Sequence, residues 1–525
     1  MKETLSKKSL IKKTIQVGGN TLISRFLGLA REILLMRFLG VGVVHDAFVT
    51  AFLIPNSLRK IFAEGALTAA FVPTFIQVYQ QEGQKRANAL MTLGFLIFEG
   101  AVLALCISIM IFPKIAIYAI ASGFSEAQIQ ATIPCLRILM PFIFFLSTSS
   151  LFTGALHSAD HFFIPAFSPI ILNIFFIGGL ITCLTGGYSV DYLCFFIMAG
   201  GFAQFLLHVV AYFSLQFSFS KPTQETYRAF GKVLLKFLPC FLSMSVMEIN
   251  LMIDHNFASF LPIGSVTLIK YGSRFMGIPL GVFAAALSTI LLPHFTRVSM
   301  QTPEKLQFYL YECTKLVVWV MLPAALVMCF LSEDIFLTLF ASSSNKFPAH
   351  LVPEAGQVLA GYLMGLLFLS LNKILLSLYY ALHDTTYPMY IALIGTGSNA
   401  ILNFILVHLM GIQGLPIATS LAAGIQTILS YIFLHYAHKL TIPLKELFNF
   451  TGRCIVQLIF IFIPFYGLYT YTCHIMNGFF TDGWWHFFMI KSFGYWLWAG
   501  PLMLLYFIGL YITKRWFGIE SYFLS

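Results

Sequence analysis

Apolar residues fill this chain in runs of about 20 or more, separated by short turns marked by Gly, Pro, Asn or Asp; at 1.5 Å per helical residue each run is long enough to cross a bilayer. About fourteen spans are predicted, at 14–40, 45–81, 88–112, 130–157, 161–185, 189–217, 229–259, 263–299, 304–332, 353–382, 387–410, 414–438, 450–475 and 486–513. Strand-like alternation over ten-residue units is absent, so a closed β-barrel is disfavoured and the backbone must satisfy itself through helices. Spans two and eight are too long for one straight crossing, and both contain Pro and Gly. They are predicted to be kinked or broken. The fold class is an all-α polytopic membrane protein.

Composition agrees: 58% of the 525 residues are hydrophobic and 10% charged, with mean hydropathy +0.84, whereas a soluble domain carries about 25% charge. The net charge of +10 suggests nucleic acid only until its distribution is considered. Lys2, Lys7, Lys8, Lys12 and Lys13 precede the first span, Lys85 and Arg86 follow the second, and Lys221, Arg228 and Lys232 precede the seventh. Arg297, Lys305, Lys439, Lys445, Arg453, Lys514 and Arg515 continue the same alternation, while the intervening connections around Gly42, Gly187, Gly264 and Gly411 hold almost none. Lysine and arginine retained in alternate loops orient a membrane protein, so both termini are expected in the cytoplasm and no nucleic-acid partner is expected. The nine cysteines are scattered singly without a C-x-x-C pair, predicting neither disulfide nor zinc. Arg25 and Arg31 interrupt the first apolar run, which argues against a cleaved leader.

An internal repeat emerges on alignment. GALTAAFVPTF, ending at Phe75, sets against AALSTILLPHF, ending at Phe295; GALH ending at His157 sets against YALH ending at His383, and ILN at Asn173 against ILN at Asn403. The offset drifts from 220 to 226 to 230 residues, as small loop insertions would produce. Two parallel six-helix lobes, 1–218 and 219–440, are therefore expected around a central cavity, with residues 441–525 adding two further helices.

Ionised residues inside the membrane cost about 2.5–3.5 kcal/mol each and must face protein or a water-filled cavity. The first repeat holds Arg25, Arg31, Glu32, Asp46, Arg59, Lys60 and Glu64; the second offers chiefly Lys270 and Arg274. At about 100° per residue Arg25 and Glu32 share a helical face, and Arg31 points away from it. One reading makes these charges ion pairs that tie helices together. The other notes that four arginines, counting Arg274, face Asp46 and Glu64 as likeliest nearby partners; the surplus positive charge would suit a pyrophosphate, which the guanidinium fork binds through paired hydrogen bonds.

SRFLGLARE (Ser24 to Glu32), DAF (Asp46 to Phe48), PNSLRKIFAEGA (Pro55 to Ala66) and FVP (Phe71 to Pro73) closely resemble the signature of the MurJ (MviN) lipid II flippases. FASFL (Phe257 to Leu261), GSV (Gly264 to Val266) and YGSRFMGIPLGV running into STILLP (Tyr271 to Pro293) extend the resemblance into the second half. It implies a fourteen-helix member of the multidrug/oligosaccharidyl-lipid/polysaccharide exporter superfamily, a non-enzymatic transporter of the bacterial inner membrane. The implied cargo is undecaprenyl-pyrophosphate-linked disaccharide-pentapeptide, moved by alternating access. Arg25, Arg31, Arg59 and Arg274 match the family's cavity arginines, and Asp46 and Glu64 its gating or charge-organising acids. Implied partners are lipid II and membrane lipid, with transient contact to cell-wall synthesis machinery by a monomer. The chain departs from the family pattern at Leu53, where a basic residue is common, at Glu32, where Asp is usual, and near Asp384, where a basic residue is often found.

No cofactor or resident metal is expected. The driving force is expected from membrane potential or a coupled cation, sodium or proton; Glu248, Asn399, Asn403 and Thr419 offer oxygen ligands for one, or Asn399 and Asn403 merely hydrogen-bond neighbouring helices. Glu99, Arg137 and Asp254 read as relay groups or helix ties, His383–Asp384 as a polar turn, and Trp484 and Trp485 as an interface anchor. Two other functions remain in contention: export of another polyprenyl-pyrophosphate-linked glycan, and a membrane enzyme acting on such a lipid. An enzyme should present paired carboxylates or a metal cluster toward one aqueous side, and the sequence shows no such constellation.

Overall fold

The structure is a computed structural model that describes residues 27–299, 303–341, 346–480 and 483–523. Helices α1 (27–39), α2 (Val43–Arg59), α3 (Thr68–Glu82), α4 (Gln84–Gly94), α5 (Gly100–Ile111), α6 (Pro113–Ile120), α7 (Glu126–Leu139), α8 (Phe142–Ser158), α9 (Phe163–Gly186), α10 (Val190–Ser214) and α11 (Gln224–Ser259) build the unit Met1–Gly264. The unit Ser265–Ser525 holds α12 (Ser265–Pro279), α13 (Ala286–Ser299), α14 (Pro303–Phe330), α15 (Ser332–Phe336), α16 (Val352–Met364), α17 (Leu366–Ala381), α18 (Thr386–Met410), α19 (Gly414–His438), α20 (Leu444–Phe479), α21 (Gly483–Lys491) and α22 (Tyr495–Thr513). The seventh predicted span is α11, and it packs within the first unit, on α3 and α4.

Among the described residues ten helical stretches are long and apolar enough to cross a membrane. One of them, Thr386–His438, contains two of the predicted spans, so eleven of the fourteen are matched. The other three are the first, which begins outside the described residues, and the second and seventh, which carry Asp46, Arg59, Lys60 and Glu64 and Lys232, Lys236, Glu248 and Asp254 respectively. Leu235, Leu409, Phe448 and Phe479 are each more than 70% exposed, a disposition suited to acyl chains and unfavourable in water.

Span two is helical throughout and span eight from Ser265 onward. Their irregularity is a π-helical segment in each, Lys60–Leu67 between α2 and α3 and Leu280–Ala285 between α12 and α13. Spans four and ten are also interrupted at matching places, between Leu139 and Phe142 and at Gly365. Packing repeats as well: α2 lies on α7, α3 on α8 and α9 along α10 in the first unit, as α12 lies on α16, α13 on α17 and α18 along α19 in the second.

The core of the first unit is aromatic. Phe152 stacks on Tyr212 (4.6 Å between centroids), Tyr212 on Phe217 (5.3 Å), and Phe217 meets Phe75 (6.1 Å). The Tyr212 hydroxyl donates to Ser218 O at 3.0 Å, so this buried ring leaves its polar end satisfied. In the second unit α22 packs on α20 and α20 on α14, with Phe465, Tyr495, Trp498 and Tyr506 in the shared core. Trp484 and Trp485 are exposed on α21, a position compatible with an interface anchor.

Candidate functional site

Arg31 is the best defined of the predicted cations. It extends from α1, and Nη1 donates to Asn173 Oδ1 of α9 at 3.2 Å while Nη2 donates to Glu32 Oε1 at 2.8 Å. Its guanidinium carbon stands 4.9 Å from the Phe176 ring centroid, so one planar cation uses its edge for hydrogen bonds and its face for an aromatic contact. Asn173 and Phe176, three apart on α9, present both partners on one face. The expectation that Arg31 and Glu32 diverge is corrected here. Backbone angles separate their Cβ directions by about 100°, but two long side chains bend toward each other across that gap. Glu32 thus balances Arg31, and the surplus of positive charge is one smaller than a count of Asp46 and Glu64 alone suggests.

A second group surrounds the start of α2. Asp46 is buried, and its Oδ2 accepts from Gly264 N at 2.6 Å. Gly264 has φ +97°, in the region favoured by glycine, and a Cβ there would fall 2.4 Å from Val41 Cγ1. One turn further along, the Thr50 hydroxyl donates to Asp46 O (2.8 Å) and lies 2.8 Å from His255 Nε2 on α11. Asp46 therefore fastens the start of α2 to the turn that follows α11.

Where α2 passes into its π segment, Ser57 Oγ donates to Glu248 Oε2 at 2.7 Å and Lys60 Nζ approaches Glu248 Oε1 at 3.0 Å. Glu248 was expected among the ligands of a coupling cation. Here its two oxygens accept from Ser57 and Lys60, so its charge has an ammonium beside it. Arg59, next to Lys60, donates from Nη2 to Asn56 Oδ1 at 3.1 Å. The backbone of Glu64 lies in the π segment and its side chain is outside the described residues, as is the whole of Arg25.

In the second unit Arg274 lies on α12 with its side chain exposed, one turn after Lys270, whose ammonium is 5.2 Å from the Tyr271 ring centroid. Asn399 and Asn403 are both buried, one turn apart on α18, which packs along α19. Thr419 on α19 donates to Leu415 O at 3.1 Å.

Asp384 and Arg137 are held by local contacts. Asp384 Oδ1 accepts from Thr386 N (3.0 Å) and Tyr387 N (3.2 Å) at the start of α18, and Oδ2 lies 2.8 Å from His438 Nε2, so the His383–Asp384 step is a polar turn. Arg137 Nε donates to Met110 O at 3.1 Å. Sequence reasoning missed Asn173, Phe176 and Ser57 as partners. The spacing of Ser57 and Lys60, three apart on one helical face, was the one available signal.

The model of the lipid II flippase MurJ family matches residues 35–483. The lipid II flippase MurJ of Burkholderia cenocepacia is 31% identical over 440 residues, covering 81% of this chain and 84% of the relative. A probable lipid II flippase MurJ of Thermotoga maritima is 29% identical over 427 residues, covering 81% and 85%. Among solved structures, lipid II flippase MurJ in an inward closed conformation superposes with TM-score 0.77 at 26% identity over 95% of this chain and 99% of that one. An inward-facing multidrug resistance transporter of the MATE family and MOP superfamily, at 15% identity and TM-score 0.67 over 82% of this chain and 100% of that one, shares the fold. With the family model spanning most of its length, the chain belongs to the lipid II flippase MurJ family.

Proposed function

We propose that this protein carries lipid II, the undecaprenyl-pyrophosphate disaccharide-pentapeptide, from the cytoplasmic to the outer leaflet of the bacterial inner membrane by alternating access. The seat of Arg31 carries the reading: a guanidinium held on Asn173, Glu32 and Phe176 within a helical membrane unit, in a chain whose family is named for that lipid. Arg25, Arg31, Arg59 and Arg274 are the proposed ligands of the pyrophosphate. In a site of low dielectric their attraction for it is several times stronger than in water, and admitting water on the outer side weakens it and releases the cargo. Asp46 and Glu64 are the proposed gating acids. For Asp46 the support is its bond to Gly264 N, which joins two segments that must part if the start of α2 moves.

No covalent bond is made or broken in this cycle. Both termini are assigned to the cytoplasm on the distribution of Lys and Arg, and the protein acts as a monomer in transient contact with cell-wall synthesis machinery. Its return is biased by membrane potential acting on unmatched positive charge, worth about 2.3 kcal/mol per charge per 100 mV, or by a coupled cation with Glu248, Asn399, Asn403 and Thr419 among its ligands.

Depletion in the host bacterium, followed by an externally added probe that attacks outer-leaflet lipid II, tests the reading. Lipid II is expected to become inaccessible on depletion and to be restored by the wild-type chain but not by Arg274→Ala inserted at normal levels. Lipid II that stays accessible after depletion refutes the proposal.

A further inference from the structure

Glu99 takes no part in the arginine site. It ends a second π-helical segment of the first unit, Phe95–Glu99, between α4 and α5, in the helical stretch Gln84–Ile111. Fifteen residues precede it in that stretch and twelve follow, which at 1.5 Å per residue puts it near the middle of a hydrocarbon layer about 30 Å thick. It is 1% exposed and heads a buried stripe with Val102 and Cys106, at the spacing of one helical face turned toward α8.

Its surroundings suit a neutral carboxyl. Ser147 Oγ of α8 donates to Oε1 at 2.7 Å, and the Thr148 hydroxyl beside it is already committed to Phe144 O at 2.9 Å. Among the described residues Oε2 has no hydrogen-bond partner. Among the described residues the cations on the elements packed against it are engaged elsewhere: Lys114 of α6 pairs with Glu126, and Arg137 of α7 donates from Nε to Met110 O at 3.1 Å, eleven residues from Glu99. On α8 the only titratable side chain is His157, ten residues beyond Ser147, and on α5 it is Cys106. On α4 they are Lys85 and Arg86 at the far end, Arg86 being paired with Glu225. The adjoining α11 meets Phe98 through Phe230 and Phe237, and its Lys232 and Lys236 are exposed. A carboxylate stripped of water, with hydroxyls of Ser147 and Thr148 as its nearest polar neighbours and no countercharge beside it, is far costlier than the acid, whose O–H supplies the donor that Oε2 lacks. A π-helical insertion at that residue is a further sign, since such insertions are frequent at functional sites.

We propose that Glu99 is a proton-binding site, occupied in this conformation and emptied when the α5–α8 seam takes up water, so that one proton is linked to the transport cycle. A structural tie needs only a group that accepts from Ser147, and glutamine serves that purpose; a proton site needs the acid. Infrared spectra of the full-length protein in nanodiscs at pH 7 are expected to show the carbonyl stretch of a protonated carboxyl that Glu99→Gln removes and Ser147→Ala shifts. Failure of Glu99→Gln to remove any such band overturns the proposal, and the Ser147→Ala shift keeps the assignment open to refutation if Glu99→Gln misfolds. Linkage rests on the flippase reading, and is measured as lipid II translocation in proteoliposomes without a membrane potential. Wild-type rates are expected to vary with pH, by at most about tenfold per unit for one titrating group, and Glu99→Gln rates to be flat. Coincident profiles overturn the linkage; absence of translocation by the wild type at every pH sinks the flippase reading and the linkage with it, and leaves the infrared result standing.

Discussion

Removing Lys60 should destabilise the first unit more than neutralising its partner Glu248. The two side chains meet at 3.0 Å but differ in access to solvent, 37% exposed for Lys60 and 10% for Glu248. In Glu248→Gln the lysine keeps its exposed end and a flexible stem with which to find water, and the amide still accepts from Ser57; the cost is about 1 kcal/mol. In Lys60→Met the carboxylate keeps only the Ser57 hydroxyl, at 2.7 Å. Stranding a fully buried charge costs about 3–5 kcal/mol, and discounting for the partial exposure of the pair leaves about 2–3 kcal/mol. The double variant removes both charges and should recover about 1–2 kcal/mol of the summed loss, the coupling expected for residues in direct contact. Reversible denaturant titration of the four proteins in bicelles gives the cycle. Equal losses in the two single variants, or coupling below about 0.5 kcal/mol, would refute the argument that burial of the carboxylate governs the pair.

Two further outcomes follow from the geometry. Arg31→Lys should fail to support growth on depletion of the wild type, although charge is conserved, because an ammonium cannot bond Asn173 and Glu32 in the plane of a fork while lying flat over Phe176; growth equal to wild type would show that charge alone suffices. Gly365→Ala should lower the thermal midpoint of the purified protein, since the added Cβ falls 2.7 Å from Ser420 Cα at the α17–α19 contact and overpacking costs about 1–3 kcal/mol; an unchanged midpoint would mean the two helices separate without penalty.

Membrane architecture was legible because each span must satisfy its own backbone, so length and hydropathy report it locally. Eleven of the fourteen expected spans meet those two criteria directly. The partnerships of the charges were not legible. Lys60 and Glu248 are 188 positions apart, Arg31 and Asn173 are 142 apart, and nothing in either local pattern names the other. The Arg31–Glu32 pair failed for a different reason: a helical wheel gives the direction of Cβ, and the reach of a guanidinium exceeds the separation it predicts. The π segments escaped because a uniform 3.6-residue period was assumed, so proline and glycine were taken as kinks or breaks where the chain inserts an extra residue and continues.

Those π segments also separate inherited geometry from added chemistry. At the offset of 220 that aligns Phe75 with Phe295, the start of Lys60–Leu67 falls on the start of Leu280–Ala285. The polar residues do not follow. Ser57, Arg59 and Lys60 correspond to Gly277, Pro279 and Leu280, and LGVFAA contains no polar side chain. Charge therefore cannot be what generates the distortion, since it arises equally where charge is absent; each helix carries a proline before its π segment, Pro55 and Pro279, but at different distances from it. The duplicated frame thus supplies a widened helical turn in both units, and only the first has filled it with groups able to hold Glu248. The two copies share the widened turn and differ in where charge enters it: Arg59 and Lys60 stand at its start in the first, whereas Lys270 and Arg274 of the second lie well before it.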